Sequence, residues 1–147
     1  MELRRVVITG IGAITPIGNT APEYWDNLCK GVSGAGKITR FDSTKLKTHI
    51  ACEIKGYDSE AYFDRKESRK LDLYAQYAIV AADEAIKDSR IDKGNTDFDE
   101  VGVVFASGIG GISSLYYDMM DSDWNGEALR LSPFTIPRLL PDLASGH

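Results

Sequence analysis

Residues 65–82 read RKESRKLDLYAQYAIVAA, a dense basic cluster that runs directly into an alanine-rich segment. Four of the six residues 65–70 are cationic, although the whole chain has a formal net charge of −5. This local reversal of charge predicts a surface that receives an acidic partner. The alternative is a solvated helix start. Cations oppose the dipole at the start of a helix, however, so their presence there favours a use other than folding.

The segment behind the cluster has the period of a buried helix. Ala75, Ala78, Ala82 and Ala85 recur at steps of three and four residues, which lets another backbone approach closely. We therefore predict one long helix, with Ser68 near its start and Ser89 near its end. Such a helix is typical of a tightly packed α/β enzyme.

Two apolar runs predict strands on either side of this helix. They are residues 6–9 (VVIT) and residues 101–106 (VGVVFA), and both have the composition of buried strands. Residues 50–54 predict a further short strand. Helices are predicted from Thr20 to Lys30, with Gly31 ending the helix, and over residues 112–120. Strands that alternate with helices predict an α/β sheet with parallel neighbours.

Length and composition indicate a single globular domain without a membrane segment. The chain has 147 residues, and no apolar run approaches the roughly 20 residues of a membrane helix. The acidic balance argues against general nucleic-acid binding. We see no signal-peptide pattern and expect a cytoplasmic protein. Cys29 and Cys52 form no CxxC motif, so neither a disulfide framework nor a metal site is expected.

Two glycine-rich loops are candidate ligand sites. Residues 10–12 follow a strand, but Thr15 and Pro16 stand where a dinucleotide fingerprint places its third glycine and helix start. Close backbone packing explains that loop better. Residues 108–111 (GIGG) follow the second predicted strand, where α/β proteins bind ligands. A plain tight turn is an equal alternative, and a P-loop is disfavoured because no Lys-Ser/Thr follows.

The histidines give no catalytic pair. His49 lies three residues before Cys52, a spacing that places the two side chains on opposite faces of a strand. Nothing in the sequence near His147 suggests an acid–base partner.

Five ordered stretches resemble the β-ketoacyl-acyl-carrier-protein synthases, most closely the elongating synthase II group of dissociated (type II) fatty acid synthesis. The stretches are residues 4–12 (RRVVITGIG) with 16–19 (PIGN), 41–42 (FD), 65–72 (RKESRKLD) with 76–77 (QY), 107–111 (SGIGG), and 132–134 (SPF) through 146–147 (GH). They span essentially the whole chain in the order of the family.

The resemblance implies a thiolase-like layered α-β-α-β-α fold and a homodimer. Residues 1–147 would supply the N-terminal part of its first half, and the remainder of the fold is absent from this sequence. The implied reaction is a decarboxylating Claisen condensation of an acyl thioester with malonyl-acyl carrier protein. An active-site cysteine carries the acyl group and two histidines assist. Substrates arrive on the phosphopantetheine of acyl carrier protein, and no cofactor or metal is implied.

The catalytic residues of the family have no counterpart in this chain. The cysteine and both histidines are expected beyond His147. The residues Cys29, Cys52, His49 and His147 do not align with them. We therefore expect the 147-residue chain alone to be inactive. The break in an apolar, proline-containing segment before His147 also predicts the N-terminal third of a larger protein.

The resemblance carries over two sets of binding residues. The residues implied to contact acyl carrier protein are Lys66, Arg69, Lys70 and Arg130. The residues implied to line the acyl pocket are Ile109, Phe134 and Ile136. Thr135 stands where the family commonly has an aromatic residue, which leaves the preferred acyl chain length open.

Two alternatives remain for the function. One is a polyketide ketosynthase or a chain-length factor, which resembles these enzymes but lacks the cysteine. The other belongs to a different class, a non-catalytic module that binds acyl carrier protein.

Overall fold

The computed structural model describes residues 4–121 and 132–147. It divides into two compact units, one formed by residues 1–57 and 81–95, the other by residues 58–80 and 96–147. The elements follow in chain order: α1 Ala21–Cys29, β1 Gly36–Lys37, β2 Ile50–Ala51, α2 Arg65–Ser68, α3 Leu73–Ser89, α4 Ile112–Asp121, α5 Thr135–Leu139 and α6 Leu143–Gly146. Two short 3₁₀ turns, Ser59–Ala61 and Phe98–Glu100, precede α2 and α4.

Helix α1 confirms its predicted boundaries through its caps. The Thr20 side chain accepts a hydrogen bond from the Glu23 N–H, and Pro22 lies in the first turn. Past the helix, Gly31 adopts φ +70°, a conformation that glycine reaches without steric cost. Local chemistry is therefore sufficient to begin and end this helix.

The prediction of one long helix that starts near Ser68 is wrong in one respect, because the structure has two separate helices there. Helix α2 ends at Ser68 and α3 begins at Leu73. The Asp72 side chain accepts a hydrogen bond from the Tyr74 N–H at 3.1 Å and so opens a new helix. The basic cluster thus lies on a short helix and on the two residues that follow it, Arg69 and Lys70, separate from the alanine stripe.

The alanine-rich helix α3 permits close backbone contact in the first unit, as predicted. A Cβ added to Gly12 would lie 1.9 Å from the Ala81 carbonyl oxygen, and one added to Gly10 would lie 2.1 Å from that of Ala85. Only glycine fits at these two positions of the loop. This confirms the packing explanation for residues 10–12.

Carboxylates of α3 also bind the amides of that loop. The Ile11 N–H donates to Asp88 at 3.0 Å and the Ala13 N–H donates to Glu84 at 2.8 Å. Glu84 accepts a second bond from the Ala21 N–H at 2.9 Å. Because acidic groups occupy these donors, a pyrophosphate would be repelled from them, which argues against a dinucleotide site.

The predicted strands at residues 6–9 and 101–106 are not paired within the described part of the chain. The sheet described there is two-stranded and antiparallel, with Gly36 opposite Ala51 and Lys37 opposite Ile50. The expected parallel pairing is therefore not observed, whereas the short strand predicted at residues 50–54 appears at Ile50–Ala51. Val6 is 89% exposed and Val104 is 95% exposed. A strand needs a neighbour for its backbone groups, and the described residues offer none to these runs.

No helix within residues 4–121 and 132–147 is long and apolar enough to cross a membrane.

Candidate functional site

The basic cluster forms a cationic face in the second unit. Helix α2 begins after Asp64, whose carboxylate accepts hydrogen bonds from the N–H groups of Lys66 at 2.8 Å and Glu67 at 2.7 Å. This cap neutralises the positive end of the helix, so the cost expected for cations at a helix start is largely removed.

The same cap perturbs the titration of Asp64. The Glu67 N–H lowers the pKa of the Asp64 carboxyl below its ordinary value, assisted by the Lys66 N–H and by the charges of Lys66 and Lys70. A lowered pKa means that the cap is fully formed above the ordinary value and is lost as the pH falls through the folded value. The cationic face is therefore organised at neutral pH.

The cations of this face have no salt-bridge partner in the part of the chain that the structure describes. Lys30 is paired with Asp26 and Lys87 with Asp83, which is the usual arrangement on a helix surface. Four basic residues instead surround an open cleft of about 620 Å³. They are Arg65, Lys66, Arg69 and Lys70, and Phe134 completes the wall. Unpaired positive charge around an apolar ring suits an acidic macromolecular surface.

Groups from α3 and from the chain near α6 hold the base of this face. The Gln76 side-chain amide is buried and donates to the carbonyl oxygens of Ser68 and Leu71, each at 3.2 Å. The His147 imidazole lies 3.1 Å from the Glu67 carboxylate, the one acidic group among residues 65–70. The sequence around His147 did not indicate this contact, because Glu67 lies 80 residues away in the chain.

The second glycine loop is a tight turn that packs against α5. Gly110 has φ +74°, and its N–H donates to the Ser107 hydroxyl at 3.0 Å. A Cβ at Gly111 would lie 2.1 Å from the Arg138 carbonyl oxygen. Ile109, the only bulky residue of the loop, is 63% exposed. The loop thus presents one apolar side chain from a rigid backbone.

Asp72 connects two helices through hydrogen bonds, a role that the sequence did not reveal. Its carboxylate is buried and accepts from the Ser114 hydroxyl at 2.6 Å and the Ser114 N–H at 3.2 Å, in addition to the Tyr74 N–H. It thereby joins the first turns of α3 and α4. Burial raises the pKa of the neighbouring Tyr74 hydroxyl, and the charges of Asp72 and Asp142 raise it further. The only sequence signal was an acid directly before an apolar helix start.

The residues predicted to line an acyl pocket occupy different surroundings. Phe134 lies in the cationic cleft, while Ile136, like Ile109, is 63% exposed. Thr135 is fully packed, and its hydroxyl donates to the Asp118 carboxylate of α4. The acyl-pocket role of Ile109, Phe134 and Ile136 stays a prediction. Arg130 lies outside the described residues.

The described residues hold no catalytic constellation of the kind sought in the sequence. Cys29 and Cys52 are exposed free thiols. No group of three or more His, Cys, Asp or Glu side chains within the described ranges could hold a metal ion.

Comparison with known proteins identifies the family. The model for the N-terminal domain of beta-ketoacyl synthases matches residues 3–147. The 3-oxoacyl-(acyl-carrier-protein) synthase 2 of Staphylococcus aureus strain N315 is 44% identical over 98% of this chain and 34% of its own length. The enzyme of that name from Synechocystis sp. is 40% identical over 99% of this chain and 35% of its own length. The chain thus spans about a third of the curated relatives it matches.

A solved structure supports the fold class. The ishigamide ketosynthase/chain length factor superposes with a TM-score of 0.72 at 27% identity, over 93% of this chain and 34% of that one. The predicted thiolase-like α/β fold, of which this chain supplies the N-terminal part, is thereby confirmed. The chain belongs to the beta-ketoacyl synthase family, whose N-terminal domain it matches over nearly all of its length.

Proposed function

We propose that this chain is the N-terminal domain of a 3-oxoacyl-acyl-carrier-protein synthase of fatty acid elongation. The relatives at 44% and 40% identity carry that name, and they support the proposal over the third of their length that this chain spans. In this role the chain supplies part of the fold, part of the acyl pocket and the docking surface for acyl carrier protein. The complete enzyme would act as a cytoplasmic homodimer.

The observation that carries the proposal is the cationic cleft. Four exposed basic side chains surround Phe134, and none is paired in a salt bridge within the described chain. In a protein of net charge −5, such a surface is an attractive docking site for an acidic carrier protein. Charge complementarity of this kind speeds and orients docking more than it raises affinity.

The chemistry proposed for the complete enzyme is a condensation in two steps. A cysteine thiolate takes the acyl group from its carrier as a thioester, which releases the carrier thiol. Malonyl carrier protein then loses carbon dioxide, and the resulting carbanion attacks the thioester carbonyl and displaces the cysteine. We place this cysteine and two assisting histidines beyond His147, so residues 1–147 alone would not catalyse the reaction. The acyl groups arrive on phosphopantetheine, and no metal or further cofactor is proposed.

The dependence of the complete synthase on salt tests the docking role. We expect KM for acyl carrier substrates to rise about tenfold between low ionic strength and 0.5 M salt, because exposed charges are screened. KM for a small uncharged thioester should hardly change under the same conditions. The same salt dependence for both substrates would contradict carrier docking at the cationic cleft.

A polyketide ketosynthase or chain-length factor is the nearest alternative. This alternative is supported by the similarity of the chain to the solved ketosynthase/chain length factor, which is 27% identical. The residues that follow His147 in the complete gene distinguish the possibilities. A cysteine shortly after this position supports a condensing enzyme, whereas a glutamine there supports a chain-length factor.

A non-catalytic module that binds acyl carrier protein makes a different prediction about folding. An independent module would unfold cooperatively on heating, as small single domains usually do. We expect residues 1–147 alone to give no cooperative thermal transition in scanning calorimetry, because residues 6–9 and 101–106 lack strand neighbours. A sharp transition with a full unfolding enthalpy would favour the independent module.

A further inference from the structure

Helix α2 is too short to fix the direction of its own cations. It has four residues, Arg65–Ser68, and isolated helices of that length are not stable in water. The last carbonyl groups of any helix have no donor within the helix. The orientation of the cationic face therefore depends on the groups that bind the carbonyl oxygens where α2 ends.

These carbonyl groups are satisfied by donors of two kinds. Backbone N–H groups reach two of them, from Lys70 to the Glu67 oxygen at 2.8 Å and from Leu71 to the Ser68 oxygen at 3.4 Å. The Gln76 side-chain amide also donates to the Ser68 oxygen, at 3.2 Å. Next along the chain, the Arg69 carbonyl accepts a hydrogen bond from the guanidinium of Arg138. Arg69 is thus held by a side chain 69 residues away in sequence.

Arg138 extends from a well-anchored helix. Its N–H donates to the Phe134 carbonyl at 3.0 Å, so the two residues span one turn of α5. Its own carbonyl packs against Gly111, where no Cβ would fit. At the start of the turn, Thr135 is bound to Asp118. One rigid turn therefore supplies both the aromatic wall of the cleft and the group that holds Arg69.

Arg138 as a whole is half-buried, and one nitrogen of its guanidinium is enclosed. Its Nε atom is buried and has no hydrogen-bond partner among the described residues. A buried donor without a partner costs free energy, and the hydrogen bond to Arg69 comes from a different nitrogen, Nη2, so it does not satisfy Nε. A guanidinium that served only as a surface charge would remain hydrated.

We propose that Arg138 is a positioning residue of the docking surface: it holds the Arg69 backbone so that the Arg69 side chain faces the cleft. The inference rests on the proposed function, because it concerns how the acidic carrier is received. Arg138 does not itself line the cleft, so its effect on docking passes through Arg69.

A double-mutant cycle in the complete synthase tests this role. Arg138→Met should raise KM for acyl carrier substrates about fivefold, the size expected for one hydrogen bond, without changing kcat or KM for a small thioester. In an Arg69→Met background, Arg138→Met should raise KM for acyl carrier substrates by less than about twofold, since the Arg69 side chain that it positions is no longer present. In a Lys66→Met background the increase should again be about fivefold. Lys87→Met removes the same charge at a residue that does not line the cleft, and it serves as the control.

A conservative variant separates positioning from charge. Arg138→Lys keeps the positive charge but loses the planar fork of donors, so we expect KM for the carrier to rise about threefold. This variant also serves if Arg138→Met does not fold. An unchanged KM for Arg138→Lys, or equal effects of Arg138→Met in both backgrounds, would overturn the positioning role and leave carrier docking intact. If Arg69→Met and Lys66→Met also leave KM for the carrier unchanged, the docking assignment itself is wrong.

Discussion

Reversing the charge of Lys66, Arg69 and Lys70 together to Glu should lower kcat/KM of the complete synthase for acyl carrier substrates about a hundredfold. Electrostatic steering changes association rates by factors of about 10 to 10³, and this variant turns attraction into repulsion. All three side chains line the cleft. Small soluble thioesters carry no acidic partner surface, so activity on them should largely survive. Parallel assays with the two substrates measure the difference.

A matched charge reversal provides the control for this variant. Lys45, Lys47 and Lys93 are exposed and lie outside the cleft, and changing all three to Glu gives the same change in net charge. We expect this control to keep most of its activity with carrier substrates. Equal losses on carrier-bound and small substrates in the Lys66/Arg69/Lys70 variant would show that the change damages the fold or the active site, and the docking assignment would fail.

Gly12→Ala should destabilise the complete protein by about 3 kcal/mol or more, at the upper end of overpacking effects. The added Cβ would lie 1.9 Å from the Ala81 carbonyl oxygen and 2.8 Å from the Ala85 nitrogen. Both atoms belong to the backbone of a regular helix, so neither can move aside as a flexible side chain would. The loop must lift from α3, which also weakens the hydrogen bonds to Glu84 and Asp88.

Gly36→Ala is the matched control in the same unit. No atom lies within 4 Å of a Cβ at Gly36, and its φ is not positive. We expect its free energy of unfolding to change by no more than about 0.5 kcal/mol in chemical denaturation. If the two alanine variants prove equally stable, the contact between the glycine loop and α3 is not present in solution.

Part of the candidate site could be predicted because its signal is local. Four of the six residues 65–70 are cationic, and such a cluster stands out in a chain of net charge −5. All four of these side chains line the cleft. The groups that hold this surface were not predictable in the same way. Arg138 reaches Arg69 across 69 positions and Asp72 reaches Ser114 across 42. The local sequence around these residues does not indicate which distant residue each of them contacts.

The sequence by itself determined the family and the local ends of the helices. The Thr20 cap and Gly31 mark α1, because capping depends on groups within a few residues of one another. The ordered stretches between residues 4 and 147 were sufficient to predict a β-ketoacyl synthase, and the family match covers the same span.

Only the tertiary structure decided where the 65–82 segment breaks and what surrounds its cations. A helix period continues through Asp72, but a buried carboxylate bound to Ser114 begins a second helix there. The apolar runs at residues 6–9 and 101–106 have strand composition and are nevertheless unpaired within the described chain. The reason is physical: a cap is satisfied by its neighbours in sequence, whereas a strand or a docking face depends on partners that only the fold brings close.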